Sequence, residues 1–239
     1  MTFARIAVTV LVVGTILFLL PALHQDESYH HFADGRTIAG VPNFWNVVSN
    51  APFALVGILG LLALSDKASR VLFSGVFLTA FGSAYYHWAP DDARLVWDRL
   101  PMTIVFMTLF ALVIEEPVRT HIKELLPTLL TCGIASVLWW RFTGNLWSYV
   151  LVQFVPMLVI PALLVMRSGK RRIANPPQAV SLHYIKPGLW PVIVLYGLAK
   201  AAEQFDAAIY SVLPLSGHTW KHLLGAFATF YILRWRRAC

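Results

Sequence analysis

Apolar residues fill long, unbroken runs along this chain, and polar residues collect in the short breaks between them. Eight runs can be drawn, at about 4–22, 43–64, 70–88, 98–115, 122–140, 145–166, 188–208 and 217–234, each close to the ~20 residues that an α-helix needs to cross a bilayer. The breaks are polar or carry proline and glycine, as in HQDESYHHFADGRTIAGVPN, SDKASR and RSGKRRIANPPQ. The runs are continuous rather than alternating, which argues against the strands of a transmembrane barrel. The pattern predicts an all-α fold, a polytopic transmembrane helix bundle forming a single domain over residues 1–239. No repeat or low-complexity tract interrupts it.

Composition agrees with that reading. Of 239 residues, 58% are hydrophobic and only 13% charged, against roughly a quarter charged in a soluble domain. The two cysteines, Cys132 and Cys239, form neither a disulfide framework nor a CxxC metal knuckle. The net charge of +7 would suit nucleic acid, but the positions of the basic residues say otherwise. With the N-terminus inside, one face receives Arg5, Lys67, Arg70, Arg119, Lys123, Arg167, Lys170, Arg171, Arg172, Lys186, Arg234, Arg236 and Arg237. The other receives Arg36, Arg94, Arg99 and Arg141. That bias is the positive-inside pattern for eight helices with both termini cytoplasmic, and it removes nucleic acid as a partner. The first run ends in PALHQ, which resembles a signal-peptide end, but its length favours a retained helix.

Ionisable side chains in membrane helices are costly and mark function by default. Here they are His87, Asp98, Glu203, Asp206, His218, Lys221 and His222, joined by the neutral Ser83, Asn43, Asn46 and Asn50. His218 and His222 stand four apart in SGHTWKH, so on a helix both imidazoles share a face and can bind one metal ion. The topology puts His87 at the end of the third run, Asp98 at the start of the fourth and the histidine pair at the start of the eighth. All four then lie at similar depth near the non-cytoplasmic face. Three neutral imidazoles with an open fourth position make a catalytic zinc arrangement. Ser83 lies one turn before His87, on the same face.

These residues resemble the alkaline ceramidase family of the CREST membrane hydrolases. The resemblance rests on GSAYYH, then WDRLPM, then HTWKH in the last run, with NFWNVVSN resembling the family's opening helix and EQFD its acidic–aromatic patch. It runs from about Asn43 to the C-terminus in the family's order. It implies a seven-helix core over 43–239 with 4–22 as an additional leading helix. It also implies zinc ligands at His87, His218 and His222, a catalytic serine and aspartate at Ser83 and Asp98, and hydrolysis of the ceramide amide to a sphingoid base and a fatty acid. The substrate would be a lipid drawn from the bilayer, and the setting a bacterial inner membrane or an ER-type membrane. Calcium does not carry over as zinc does. Asn43 stands where the animal and plant enzymes have a glutamate, and the preceding loop offers Asp26, Glu27 and Asp34 at different spacing. Lys221 also departs from the aromatic residue that the family often has.

Zinc-assisted hydrolysis would use Asp98 as general base and then acid, with Ser83 hydrogen-bonded to the carbonyl oxygen. Glu203 would pair with Lys200, and Trp45, Trp88 and Trp97 would line the mouth or anchor the helices at the interface. His24, His30 and His31 are expected to be ordinary loop residues. Two other classes compete: a zinc-containing seven-helix receptor resembling the adiponectin receptors, and a transporter. The absence of a large soluble domain speaks against the first. The gathering of polar residues at one face, rather than the membrane centre, speaks against the second.

Overall fold

The computed structural model describes residues 20–118, 121–171 and 187–238, and every regular element among them is helical. A 3-10 turn at Glu27–His30 precedes α1 (Phe44–Val48), α2 (Ala51–Ala63), α3 (Lys67–Trp88), α4 (Asp92–Val118) and α5 (Ile122–Thr143). Then follow α6 (Trp147–Arg171), a 3-10 turn at Pro187–Leu189, α7 (Trp190–Gln204), α8 (Asp206–Tyr210) and α9 (Gly217–Arg237). The predicted helix over 4–22 lies outside the described residues except for Leu20, Pro21 and Ala22, which are not helical.

Three predicted runs change, and one of them, 188–208, divides at Phe205 into α7 and α8. The run 43–64 is broken at Ser49 and Asn50, between α1 and α2. Asn50 Nδ2 donates to the carbonyls of Asn46 (2.8 Å) and Val47 (3.3 Å), which a continuous helix would use. Pro52, with no N–H, cannot restore the ladder. The run 98–115 extends backward to Asp92, because the Asp91 carboxylate accepts from Arg94 N at 2.7 Å and caps the start. Asp98 therefore lies nearly two turns inside α4 rather than at its first residue.

Among the described residues, four stretches are long and apolar enough to cross a membrane: Phe44–Ala63, Asp92–Glu115, Ile122–Thr143 and Trp147–Met166. The pattern alone predicts eight. α3 and α9 have the length, at 22 and 21 residues, but they carry the histidines and basic ends that dilute their apolar character. α7 has 15 residues. Outward faces are nonetheless greasy: Leu62 is 80% exposed and Phe142 82%, as suits side chains turned to lipid.

α3 and α9 run antiparallel. At one end Asp66 caps α3 through Ser69 N (2.9 Å), and Arg236 of α9 reaches Asp66 (3.3 Å) and Ser69 Oγ (2.8 Å). At the other end His87 meets His218. Between them Leu72, Phe73 and Val76 of α3 pack with Leu109 and Val113 of α4 and with Ile232 and Leu233 of α9. A second cluster, Tyr86, Leu95, Val96, Val137, Trp140 and Tyr149, fills the histidine end.

Helices in lipid gain little from apolar burial against each other, so close backbone approach at small residues matters more. Gly82 is such a point, because a Cβ there would fall on the Trp97 carbonyl oxygen of α4. Replacing Gly82 by alanine should lower stability by about 1–3 kcal/mol, the usual cost of overpacking. Gly197→Ala, where the added methyl meets open space, should not lower it. Thermal melts of both variants in detergent check the pair. Equal melting temperatures would show that the α3–α4 contact does not constrain the bundle.

Candidate functional site

His87 lies in the last turn of α3 because the helix continues through GSAYYHW before Ala89 and Pro90 end it. His218 and His222 occupy the first two turns of α9, which is capped by Ser216, whose side chain accepts from Thr219 N at 3.3 Å. The antiparallel pairing brings these ends together. One ring nitrogen from each of His87, His218 and His222 lies within 4.8 Å of the others. His87 Nε2 and His218 Nε2 are 3.4 Å apart. All three side chains are buried, as are Ser83 and Asp98. The Ser83 hydroxyl is turned to the Asp98 carboxylate. All five predicted site residues thus meet at one end of the bundle.

The hydrogen bonds around the histidines set what their nitrogens can do. Ser49 Oγ contacts His222 Nδ1 at 2.8 Å and Asn46 O at 3.4 Å. Since the serine donates to that carbonyl, it accepts from Nδ1–H, which leaves Nε2 of His222 with its lone pair. That Nε2 is buried with no partner, and so is His87 Nδ1. Buried polar atoms are rarely left unpaired, so the cluster suits a bound cation. The donor set, three imidazoles with a serine behind one of them, is that of a site for a first-row metal ion.

An outer layer holds this arrangement. Asp206 accepts from His218 N (2.6 Å) with one oxygen and from Ala33 N (2.9 Å) with the other, tying α9 to the loop before α1. Asn43, in the left-handed region at φ 46°, donates to the His87 carbonyl at 2.9 Å. Asn46 accepts from Thr219 Oγ1 at 2.9 Å and donates to the Asp34 carbonyl at 3.2 Å. Phe32 packs its ring on His87 and His218. The carboxylate of Asp34 is gripped by Arg36 Nε (2.8 Å) and Nη2 (2.6 Å), which holds it below the usual carboxylate range. Asp26 accepts from Ser28 N at 2.8 Å. Two of the loop's acids are therefore engaged in local bonds.

Charged groups complete the picture. Glu203 binds Lys200, as expected, and also Lys221 at 2.7 Å. Lys221 Nζ lies 3.1 Å from His218 Nε2. Tyr29, whose burial pushes its phenol well above the ordinary range, is a neutral donor to Glu203 Oε1 at 3.4 Å. A cavity of about 470 Å³ opens beside these groups. Ser83, Asp98, Lys200, Glu203, Lys221 and His222 belong to its polar part, while Val76, Leu109, Ile160, Val192, Ala228 and Ile232 continue it into the bundle.

Sequence reasoning missed several participants. Ser49 stands in NFWNVVSN with no role assigned by the pattern, and Asp206, flagged as an ionisable membrane residue, has no partner named for it. His30, expected to be ordinary, bridges Tyr86 OH (3.0 Å) and Asp92 Oδ1 (3.1 Å) and pins the loop to α3 and α4. Its spacing carries no signal, because its partners are distant in sequence. Trp45, Trp88 and Trp97 do not line the cavity, and Trp88 and Trp97 are about half exposed. For those two the interfacial-anchor reading fits better than the mouth.

An apolar helical bundle with a buried polar cluster beside an apolar-walled cavity is the architecture of a membrane-embedded enzyme acting on lipid. The chain belongs to the ceramidase family, whose pattern matches residues 36–239. Membership makes it a hydrolase of ceramidase type. No match is found among curated proteins.

Ser49 gives a direct test of the histidine cluster. Groups that orient metal-bound histidines typically contribute about 10–100-fold to affinity, so Ser49→Ala should weaken metal binding by that factor in chelator competition. Unchanged affinity would remove His222 from the ligand set.

Proposed function

We propose that the protein is a zinc-dependent amidohydrolase that cleaves the N-acyl amide of ceramide-like sphingolipids, releasing a sphingoid base and a fatty acid. The observation that carries this reading is the meeting of three imidazole nitrogens within 4.8 Å at the end of an apolar bundle, with Asp98 lining the same cavity as His222. His87, His218 and His222 would hold the zinc. When bound, zinc supplies a Lewis acid that polarises the amide carbonyl and makes water more acidic.

The chain's own residues do the rest. Asp98 accepts a proton from the attacking water and delivers it to the nitrogen as the C–N bond breaks, so the amine leaves neutral. Ser83 keeps Asp98 oriented and is placed to donate to the carbonyl oxygen as negative charge grows there. The apolar walls take the acyl and sphingoid tails. Burial excludes bulk water, which strengthens these electrostatic interactions.

The setting belongs to the same proposal: one transmembrane domain with a ceramidase-like seven-helix core from residue 43, both termini cytoplasmic and the histidine end non-cytoplasmic. The basic-residue bias supports that orientation.

Two sets of variants and a lipid panel test the assignment. His218→Ala and His222→Ala should lose both zinc and hydrolysis. Asp98→Asn should keep zinc while turnover falls by about 10²–10⁴-fold, the usual contribution of a general base. Zinc is read by elemental analysis, and turnover by mass spectrometry of fatty acid released from N-acyl lipids with and without a chelator. Hydrolysis that survives chelation, or full activity in the histidine variants, would sink the mechanism.

A further inference from the structure

Lys221 stands on α9 between His218 and His222, and its side chain lines the cavity. A lysine on a membrane helix usually stretches toward the interface, but this one is held in place. Its Nζ donates to Glu203 Oε1 at 2.7 Å and lies 3.1 Å from His218 Nε2. The side chain is 17% exposed. Glu203 is fixed in turn by Lys200 and by the Tyr29 hydroxyl. An ammonium carries three N–H donors and no acceptor. Glu203 takes one of them. A second faces His218 Nε2 and is released when that nitrogen gives its lone pair to a metal. The third has no partner among the described residues.

Lys221 is the second cation on one carboxylate, since Lys200 already pairs with Glu203. Its charge also acts on all three imidazoles. Beside residues that gather around a cation, a further positive charge opposes loading of the metal, and burial strengthens that repulsion. A charged group kept inside a membrane bundle against such a penalty marks function.

The amide carbonyl supplies a use for it. As water attacks, the carbonyl oxygen gains negative charge and is stabilised by donors already in place. The Ser83 hydroxyl has one proton to give, and it is turned to Asp98. Lys221 lines the same cavity as Ser83 and Asp98, and its charge acts on Asp98.

We propose that Lys221 is a catalytic residue whose ammonium donates a hydrogen bond to the amide carbonyl oxygen and stabilises the oxyanion that forms there. This rests on the amide-hydrolase reading and adds a donor to it. Lys221 keeps its proton throughout. The water proton passes to Asp98 as the C–O bond forms. The C=O bond is restored as the C–N bond breaks, and Asp98 returns the proton to nitrogen.

The test uses the purified full chain in detergent, loaded with zinc, with ceramide as substrate. Lys221→Met removes the charge and the donors at nearly equal length. Its kcat should fall by about 10²–10³-fold, the usual effect of losing one oxyanion donor, with KM little changed. Its zinc affinity in chelator competition should be equal to or higher than that of the wild type, because a repelling charge is gone. Lys221→Arg, which keeps charge and donors, should regain part of kcat. If Lys221→Met does not fold, Lys221→Gln is measured in its place with the same expectation. Full kcat in a folded Lys221→Met or Lys221→Gln overturns the proposal. A raised KM at unchanged kcat would make Lys221 a binding contact and also overturn it. Weaker zinc binding together with the lost kcat would show that Lys221 acts by positioning His218, and overturns the donor role. If the wild type itself releases no fatty acid, the hydrolase reading fails and the donor role fails with it, whereas an active Lys221→Met sinks the donor role alone.

Discussion

Ring nitrogens of His87, His218 and His222 lie close together among apolar helices, where every unanswered polar atom costs free energy. That requirement organises the molecule. It demands that the last turn of α3 meet the first turns of α9, and the two helices run antiparallel to satisfy it. The opposite ends are tied by Arg236 to Asp66 and Ser69. The glycine contact at Gly82 lets α4 approach α3 closely enough to bring Asp98 beside Ser83. Each of these is a geometric consequence of gathering polar groups from three distant segments into one dry place.

The layer behind the histidines accounts for the way the loop before α1 is held on the bundle. Asp206 joins His218 N to Ala33 N, His30 joins Tyr86 to Asp92, and Phe32 covers two of the imidazoles. The loop thus forms a polar roof over the buried nitrogens. The same region frames the cavity, with Gln25 and Tyr29 in its wall. Apolar and charged surface are found in one continuous space, which suits an enzyme acting on lipid.

Much of this was legible in the chain, and the reasons are local. Membrane runs are visible because about 20 apolar residues in a row match the thickness of a bilayer and seldom occur in soluble chains. The pair His218 and His222 is visible because helical spacing places them on one face, and Ser83 and His87 for the same reason. Other features were hidden. The break between α1 and α2 arises from the Asn50 side chain competing for backbone carbonyls, which apolar pattern alone does not register. α3 and α9 read as spans, although their polar load leaves them below the apolarity of the other long helices. Ser49 and Asp206 have partners far away in the chain, and spacing is silent about such partners.

By itself, then, the sequence determined the class of fold and the apolar runs and pointed to five candidate residues for chemistry, because helical periodicity and the cost of polar groups in lipid act within one segment. Only the tertiary structure decided that those candidates converge, which nitrogen of His222 is free, and that Glu203 is shared by two lysines. Those facts depend on which helix ends are neighbours. That is settled by packing between elements, not by the pattern within any one of them.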